Sequence, residues 1–134
     1  MVTFGRWLHL GAAWLFALGV VVQGYLAGQG LPQLGGTSGF EAHVSFGYTV
    51  MGILALAVLI GALVGRVPRR QTGLAVALLV LYVVQTSLPY AKANMPGIAA
   101  LHPANAMLLL LLAIYVAFRA RRLVAREAPT PEPE

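Results

Sequence analysis

Most polar residues in this chain fall in short interruptions between four long apolar runs. The first spans residues 7–28, the second 40–64, the third 72–88 and the fourth 98–118. An α-helix rises ~1.5 Å per residue, and roughly 17–25 apolar residues cross a ~30 Å hydrocarbon core. Each run is long enough to do so. The pattern predicts an all-α fold, an integral membrane, antiparallel, up-down four-helix bundle over residues 1–126, because short connections make consecutive helices antiparallel neighbours. Residues 127–134 are rich in proline and glutamate and are expected to form a disordered cytoplasmic tail.

The interruptions carry helix punctuation. Gly30, Pro32, Gly35, Gly36 and Gly39 make the first connection irregular. Ser38-Gly-Phe-Glu41 reads as a capping box with Ser38 as N-cap, which puts His43 in the first or second turn of the second helix. Gly65-Arg66-Val-Pro68-Arg69-Arg70 is a tight basic turn. Pro89 ends or kinks the third helix, and Pro103 suits the first turn of the fourth, where a missing N–H costs nothing. Gly11, Gly19, Gly24, Gly47, Gly52 and Gly61 are available for close helix approach. A cleaved signal peptide competes for the first run, with Leu26-Ala-Gly as the cleavage site. The run's length and Gln23 favour a retained span.

Composition sharpens this. The chain of 134 residues is 59% hydrophobic and 10% charged, far from a soluble domain of that length. The absence of cysteine excludes disulfides, thiolate metal sites, iron–sulfur clusters and covalently attached c-type haem. The net charge of +5 does not read as nucleic-acid affinity, because the basic residues sit at helix ends. Arg6, the 66–70 turn and the 119–126 segment hold eight of the nine, with Lys92 alone on the other side of a four-span arrangement. By the positive-inside rule both termini are expected in the cytoplasm. The arginines imply no more than attraction to anionic lipid. Trp7, Trp14, Tyr25, Tyr90 and Tyr115 read as interfacial belt residues.

Candidate chemistry lies in the polar residues inside the spans. Counted from the flanking arginines, Gln23, Gln85 and His102 are 17, 15 and 17 residues up their helices. That is roughly 23–26 Å, near the outer face of the core. His43, Ser45 and Asn105 fall in the same layer. Spans two and four are diagonal in an up-down bundle. With neighbouring axes 8–10 Å apart the diagonal is roughly 13 Å, about the room two inward imidazoles need to hold one metal. Haem iron accepts axial histidine. Gly47 and Ala106, one turn below His43 and His102, would leave space for a flat macrocycle. Gln23 or Gln85 would hold an imidazole tautomer by hydrogen bonding. His9, within one turn of Arg6 and with no second histidine at its level, reads as an interfacial residue.

Phe40-Glu-Ala-His43-Val-Ser-Phe-Gly47 together with Leu101-His102-Pro103-Ala104-Asn105-Ala106 resembles a family of small bacterial four-span membrane proteins without assigned function. The paired histidines on the second and fourth spans are also similar to haem A synthase half-bundles and to small transmembrane b-type cytochromes. That resemblance implies haem b, bound non-covalently between His43 and His102, and a bacterial cytoplasmic membrane as location. Haem A synthase bundles also use a glutamate beside a histidine. Glu41 is two residues from His43 and faces another side of a helix, so that role is not carried over. The expected function is haem-linked electron transfer with a membrane redox partner or a quinone. The alternative is a cofactor-free accessory subunit or small carrier. No phosphate loop, nucleophile–base pair or carboxylate pair is present, so acid–base hydrolysis is not expected, and the sequence leaves open whether the protein is an enzyme.

Overall fold

The computed structural model describes residues 1–37 and 39–125. The expected tail and the expected cap at Ser38 lie outside them. The described chain contains helices and no strand. Helix α1 is Val2–Gln29 and is followed by a 3₁₀ turn at Pro32–Leu34. α2 (Glu41–Tyr48) and α3 (Val50–Val64) follow, then α4 (Arg69–Ser87), a 3₁₀ turn at Leu88–Ala93, α5 (Pro96–Ala99) and α6 (His102–Ala125). Four helical stretches are long and apolar enough to cross a membrane: Val2–Gln29, Glu41–Val64, Arg69–Ala93 and Pro96–Ala125.

The proline signals act where the sequence places them. Pro89 is the second residue of the 3₁₀ turn that ends the third stretch, and Pro103 is the second residue of α6. Several boundaries differ from expectation. α1 begins at Val2 rather than at Trp7, and α4 begins at Arg69, within the expected basic turn. α2 begins at Glu41 with Phe40 as N-cap and no side-chain cap, so Glu41 is the first helical residue rather than the third. Gly39, at φ +66°, turns the chain into the helix later than a capping box at Ser38 requires. α6 continues through Arg119, Arg121 and Arg122 instead of stopping before them. Arginine and leucine are good helix formers, and nothing there breaks the backbone pattern.

The second stretch is dislocated at Thr49, between α2 and α3. The Thr49 hydroxyl bonds back to the Ser45 carbonyl at 2.6 Å, a bond that competes with the helical ladder and bends helices. The Tyr82 hydroxyl donates to the Gly47 carbonyl at 3.1 Å across this break. Gly52 makes room for it, since a Cβ there would lie 2.8 Å from the Tyr82 oxygen.

The first stretch packs on the second and fourth, and the third packs on the same two, so stretches two and four face each other across the diagonal. Gly5 lies against Gly65 at one end, and Gln23 lies against Gly47 towards the other. A Cβ on Gly61 would sit 2.5 Å from the His9 backbone nitrogen, so the first two stretches meet backbone to backbone. Gly19, Gly47, Gly52 and Gly61 all sit at helix contacts, whereas Gly11 and Gly24 face open space. The interior holds two apolar clusters. Ala12, Ala13, Val58, Ala62, Ala75 and Val116 belong to one; Phe16, Met51, Ala55, Leu78, Leu109 and Ala113 belong to the other.

Candidate bis-histidine site

The second cluster lies below a cavity of about 810 Å³ bordered by residues of all four stretches. Gln23, His43, Gly47, Gln85, His102 and Ala106 all line it. His43 is the third residue of α2, and its Nδ1 lies 3.1 Å from the main-chain oxygen of Gln23. His102 opens α6, with Nδ1 3.0 Å from the main-chain oxygen of Gln85. A carbonyl oxygen only accepts, so in both rings Nδ1 carries the proton and donates. The lone pair of each neutral ring is therefore on Nε2. The two ring centroids are 6.1 Å apart, with the ring planes at 67°.

Gln85 is oriented from both sides. Its Oε1 accepts from Asn105 Nδ2 at 2.8 Å, and Asn105 Nδ2 also reaches the Leu81 carbonyl at 3.0 Å. The Gln85 amide nitrogen is thereby turned towards His102 and donates to its Nε2 at 3.2 Å. Gln23 plays a different part. Its backbone, rather than its side chain, holds His43. Its side-chain nitrogen fills the notch left by the missing Cβ of Gly47, 2.5 Å from where that atom would be. Its Oε1 is buried and has no hydrogen-bond partner among the described residues. Asn105 is buried, whereas Ser45 is exposed and does not line the cavity.

Three tyrosines escaped the sequence reading as members of this wall. Tyr48, Tyr82 and Tyr90 all border the cavity, and the Tyr48 and Tyr90 hydroxyls pair at 2.8 Å between α2 and the 3₁₀ turn. Tyr90 is therefore tied to a neighbouring helix in addition to being exposed. A signal existed for Tyr82, which precedes Gln85 by three positions and shares its helix face. Tyr48 sits beside the Thr49 break, which nothing in the apolar pattern announces.

His9 is corrected outright. It is fully buried rather than interfacial. Its Nδ1 donates to the Val58 carbonyl at 2.8 Å, and its Nε2 accepts from Gln71 Nε2 at 2.9 Å. Gln71 Nε2 also donates to the Val116 carbonyl at 2.9 Å, while Gln71 Oε1 accepts from Arg119 Nε at 3.1 Å. Every polar atom of the Gln71 side chain is used, and the network joins α1, α3, α4 and α6. The physical reason is the close approach at Gly61, which draws the His9 backbone inward and leaves the ring no route to the surface. Gln71, directly after the basic turn, was the available sequence signal.

No curated protein and no solved structure matches this chain. One family model matches residues 23–91, just over half of the chain. The matched region takes in Gln23, His43, Gly47, Gln71, Tyr82 and Gln85 and ends before His102. The chain belongs to the family of unknown function DUF6220.

Proposed function

We propose that this protein is an integral membrane, antiparallel four-helix bundle that holds one b-type haem between His43 and His102 and takes part in electron transfer. The observation that carries the reading is the pair of imidazoles in the wall of one cavity, each with Nδ1 tethered to a main-chain carbonyl and their centroids 6.1 Å apart. Nε2 is the ring atom that would hold a metal, and at His102 it would first release the Gln85 amide. A metal–nitrogen bond is ~2 Å long, so His43 and His102 at this separation would both be within reach of one metal. No group of three or more His, Cys, Asp or Glu residues stands together among the described residues. His43 and His102 would be enough to hold a group that brings most of its own metal donors, as haem does. The buried, unpartnered Gln23 Oε1 also fits a wall that a bound molecule completes.

Haem b supplies a one-electron couple when bound. The chain's own residues do the rest. The Gln23 and Gln85 carbonyls fix both ring tautomers, and Asn105 holds Gln85 in place. Val20, Leu109 and Leu110 keep the cavity apolar, and a low-dielectric surrounding favours the less charged, reduced state. Electrons would be exchanged with another membrane redox centre or a quinone.

Exposed apolar side chains support membrane insertion: Leu15, Leu18, Ile53, Leu63 and Leu111 are each more than half exposed. Arg6, Arg66, Arg69, Arg70 and Arg119 fall at the same end of the bundle, which favours cytoplasmic termini and a site near the outer face. The bacterial cytoplasmic membrane is the compartment we assign.

The test is a reduced-minus-oxidised absorption spectrum of the protein, made in a haem-replete host and extracted in mild detergent. Wild type is expected to show a low-spin b-type band. His43→Ala and His102→Ala should each weaken it, and the double variant should abolish it. His9→Ala should leave the band in place. A folded wild type without any haem band refutes the assignment. One observation favours a second reading, a cofactor-free accessory subunit or carrier: His102 Nε2 already accepts a hydrogen bond from Gln85.

A further inference from the structure

A second concavity lies at the opposite end of the molecule, away from the histidine pair. It is a groove of about 630 Å³ between the start of α1 and the end of α6, lined by Thr3, Trp7, Leu10, Trp14, Arg121, Val124 and Ala125. Thr3, Trp7, Leu10 and Trp14 recur at helical spacing along one face of α1. Trp14 is fixed by an edge-on contact with Phe118 at 5.3 Å, while Trp7 remains 57% exposed.

The chemistry of the groove is one-sided. Its floor is aliphatic, from Leu10, Val124 and Ala125. Its polar groups are a guanidinium, two indole N–H groups and a hydroxyl, all able to donate. An indole N–H and a guanidinium cannot accept at all. Glu41 is the single carboxylate side chain among the described residues, and it starts α2 at the far end. Arg119 and Arg122 lie beside Arg121 near the end of α6.

We infer that this groove is a binding site for one anionic phospholipid. Arg121 and Thr3 receive the phosphate, the Trp7 and Trp14 indoles face the ester region, and an acyl chain lies along Leu10 and Val124. The occupant follows from complementarity. An apolar chain joined to an acceptor-rich anion matches an aliphatic floor under a rim of donors, and basic pockets between helices at the cytoplasmic face are suited to anionic head groups. Indole rings with an apolar body and a polar N–H belong at that depth. The inference rests on the membrane reading above and is independent of the haem.

The chain has only two tryptophans, and both line the groove. Tryptophan fluorescence, excited beyond the tyrosine absorption band, therefore reports on this site. The protein is reconstituted in phosphatidylcholine bilayers containing a small fraction of acyl-brominated phosphatidylglycerol or, in parallel, the same fraction of acyl-brominated phosphatidylcholine. The anionic lipid is expected to quench with about fivefold higher apparent affinity, the effect of roughly one well-placed arginine near a charged surface. Arg121→Gln should reduce the preference to near unity, while Arg66→Gln, outside the groove, should retain it. Circular dichroism checks that both variants keep their helices. Equal quenching by the two lipids, or a preference untouched by Arg121→Gln, overturns the site. Loss of the preference on adding inorganic phosphate makes the ligand a free anion and overturns the lipid assignment. No quenching by either lipid sinks the membrane reading as well.

Discussion

Gln71 donates its side-chain amide to the Nε2 of His9 at 2.9 Å, joining residues 62 positions apart. Removing either partner strands a buried polar atom on the other, at a cost of about 1–3 kcal/mol for a group left unsatisfied. Intramembrane hydrogen bonds average only ~0.6 kcal/mol in measured cases. Because Gln71 makes three bonds at once, Gln71→Leu should cost about 1–2 kcal/mol. His9→Leu is expected to cost a similar amount, and the double variant less than the sum. Equilibrium unfolding in mixed micelles measures this. Strict additivity of the two single effects would show that the pair is not coupled.

Gln23 makes the opposite case. Its Oε1 is buried without a partner among the described residues, so Gln23→Leu removes a liability from the ligand-free protein. Stability is expected to stay level or to rise by up to ~1 kcal/mol. If the proposed haem binds, the same change should perturb its spectrum or weaken its retention, since Gln23 borders the cavity. A large loss of stability without haem would instead reveal a structural bond for this amide.

Topology is accessible chemically, because the chain has no cysteine of its own. Single cysteines at Thr37 and Asn94 should react with a membrane-impermeant maleimide added to the outside of intact cells. A cysteine at Arg66 should react only after permeabilisation. Labelling of Arg66→Cys and protection of Asn94→Cys in intact cells would invert the orientation.

Two glycines of the first two stretches should respond in opposite ways to alanine. A Cβ on Gly61 meets the His9 backbone nitrogen at 2.5 Å, where no side chain can swing aside. Gly61→Ala should therefore destabilise by about 1–3 kcal/mol, the usual cost of overpacking. At Gly11 nothing lies within 4 Å of the added carbon. Gly11→Ala should stabilise by about 0.5–1 kcal/mol through helix propensity. Thermal unfolding of the two variants side by side decides it, and equal shifts of the same sign would contradict the packing.

Four apolar lengths, the proline-marked helix end at 89 and helix start at 103, and the basic turn at 66–70 were legible because they depend on local composition and on backbone chemistry. The gathering of Gln23, His43, Gln85 and His102 around one cavity was approachable from counting alone. Rise per residue is nearly constant along any helix, so distance from the arginine ends translates directly into height.

Rotation about each helix axis is another matter, and only the tertiary structure decided it. The azimuth of His9 follows from how closely α1 approaches α3 at Gly61, a contact between residues 52 positions apart in the chain. Burial of Gln71, exposure of Ser45 and the use of the Gln23 carbonyl in place of its amide follow from the same packing. So does the Tyr82 hydroxyl reaching the Gly47 carbonyl beside the Thr49 break. A hydrogen bond requires placement to a few tenths of an ångström and the right direction. The period of the apolar pattern cannot convey that, because in a chain with an apolar outer surface the outward and inward faces of a helix look alike.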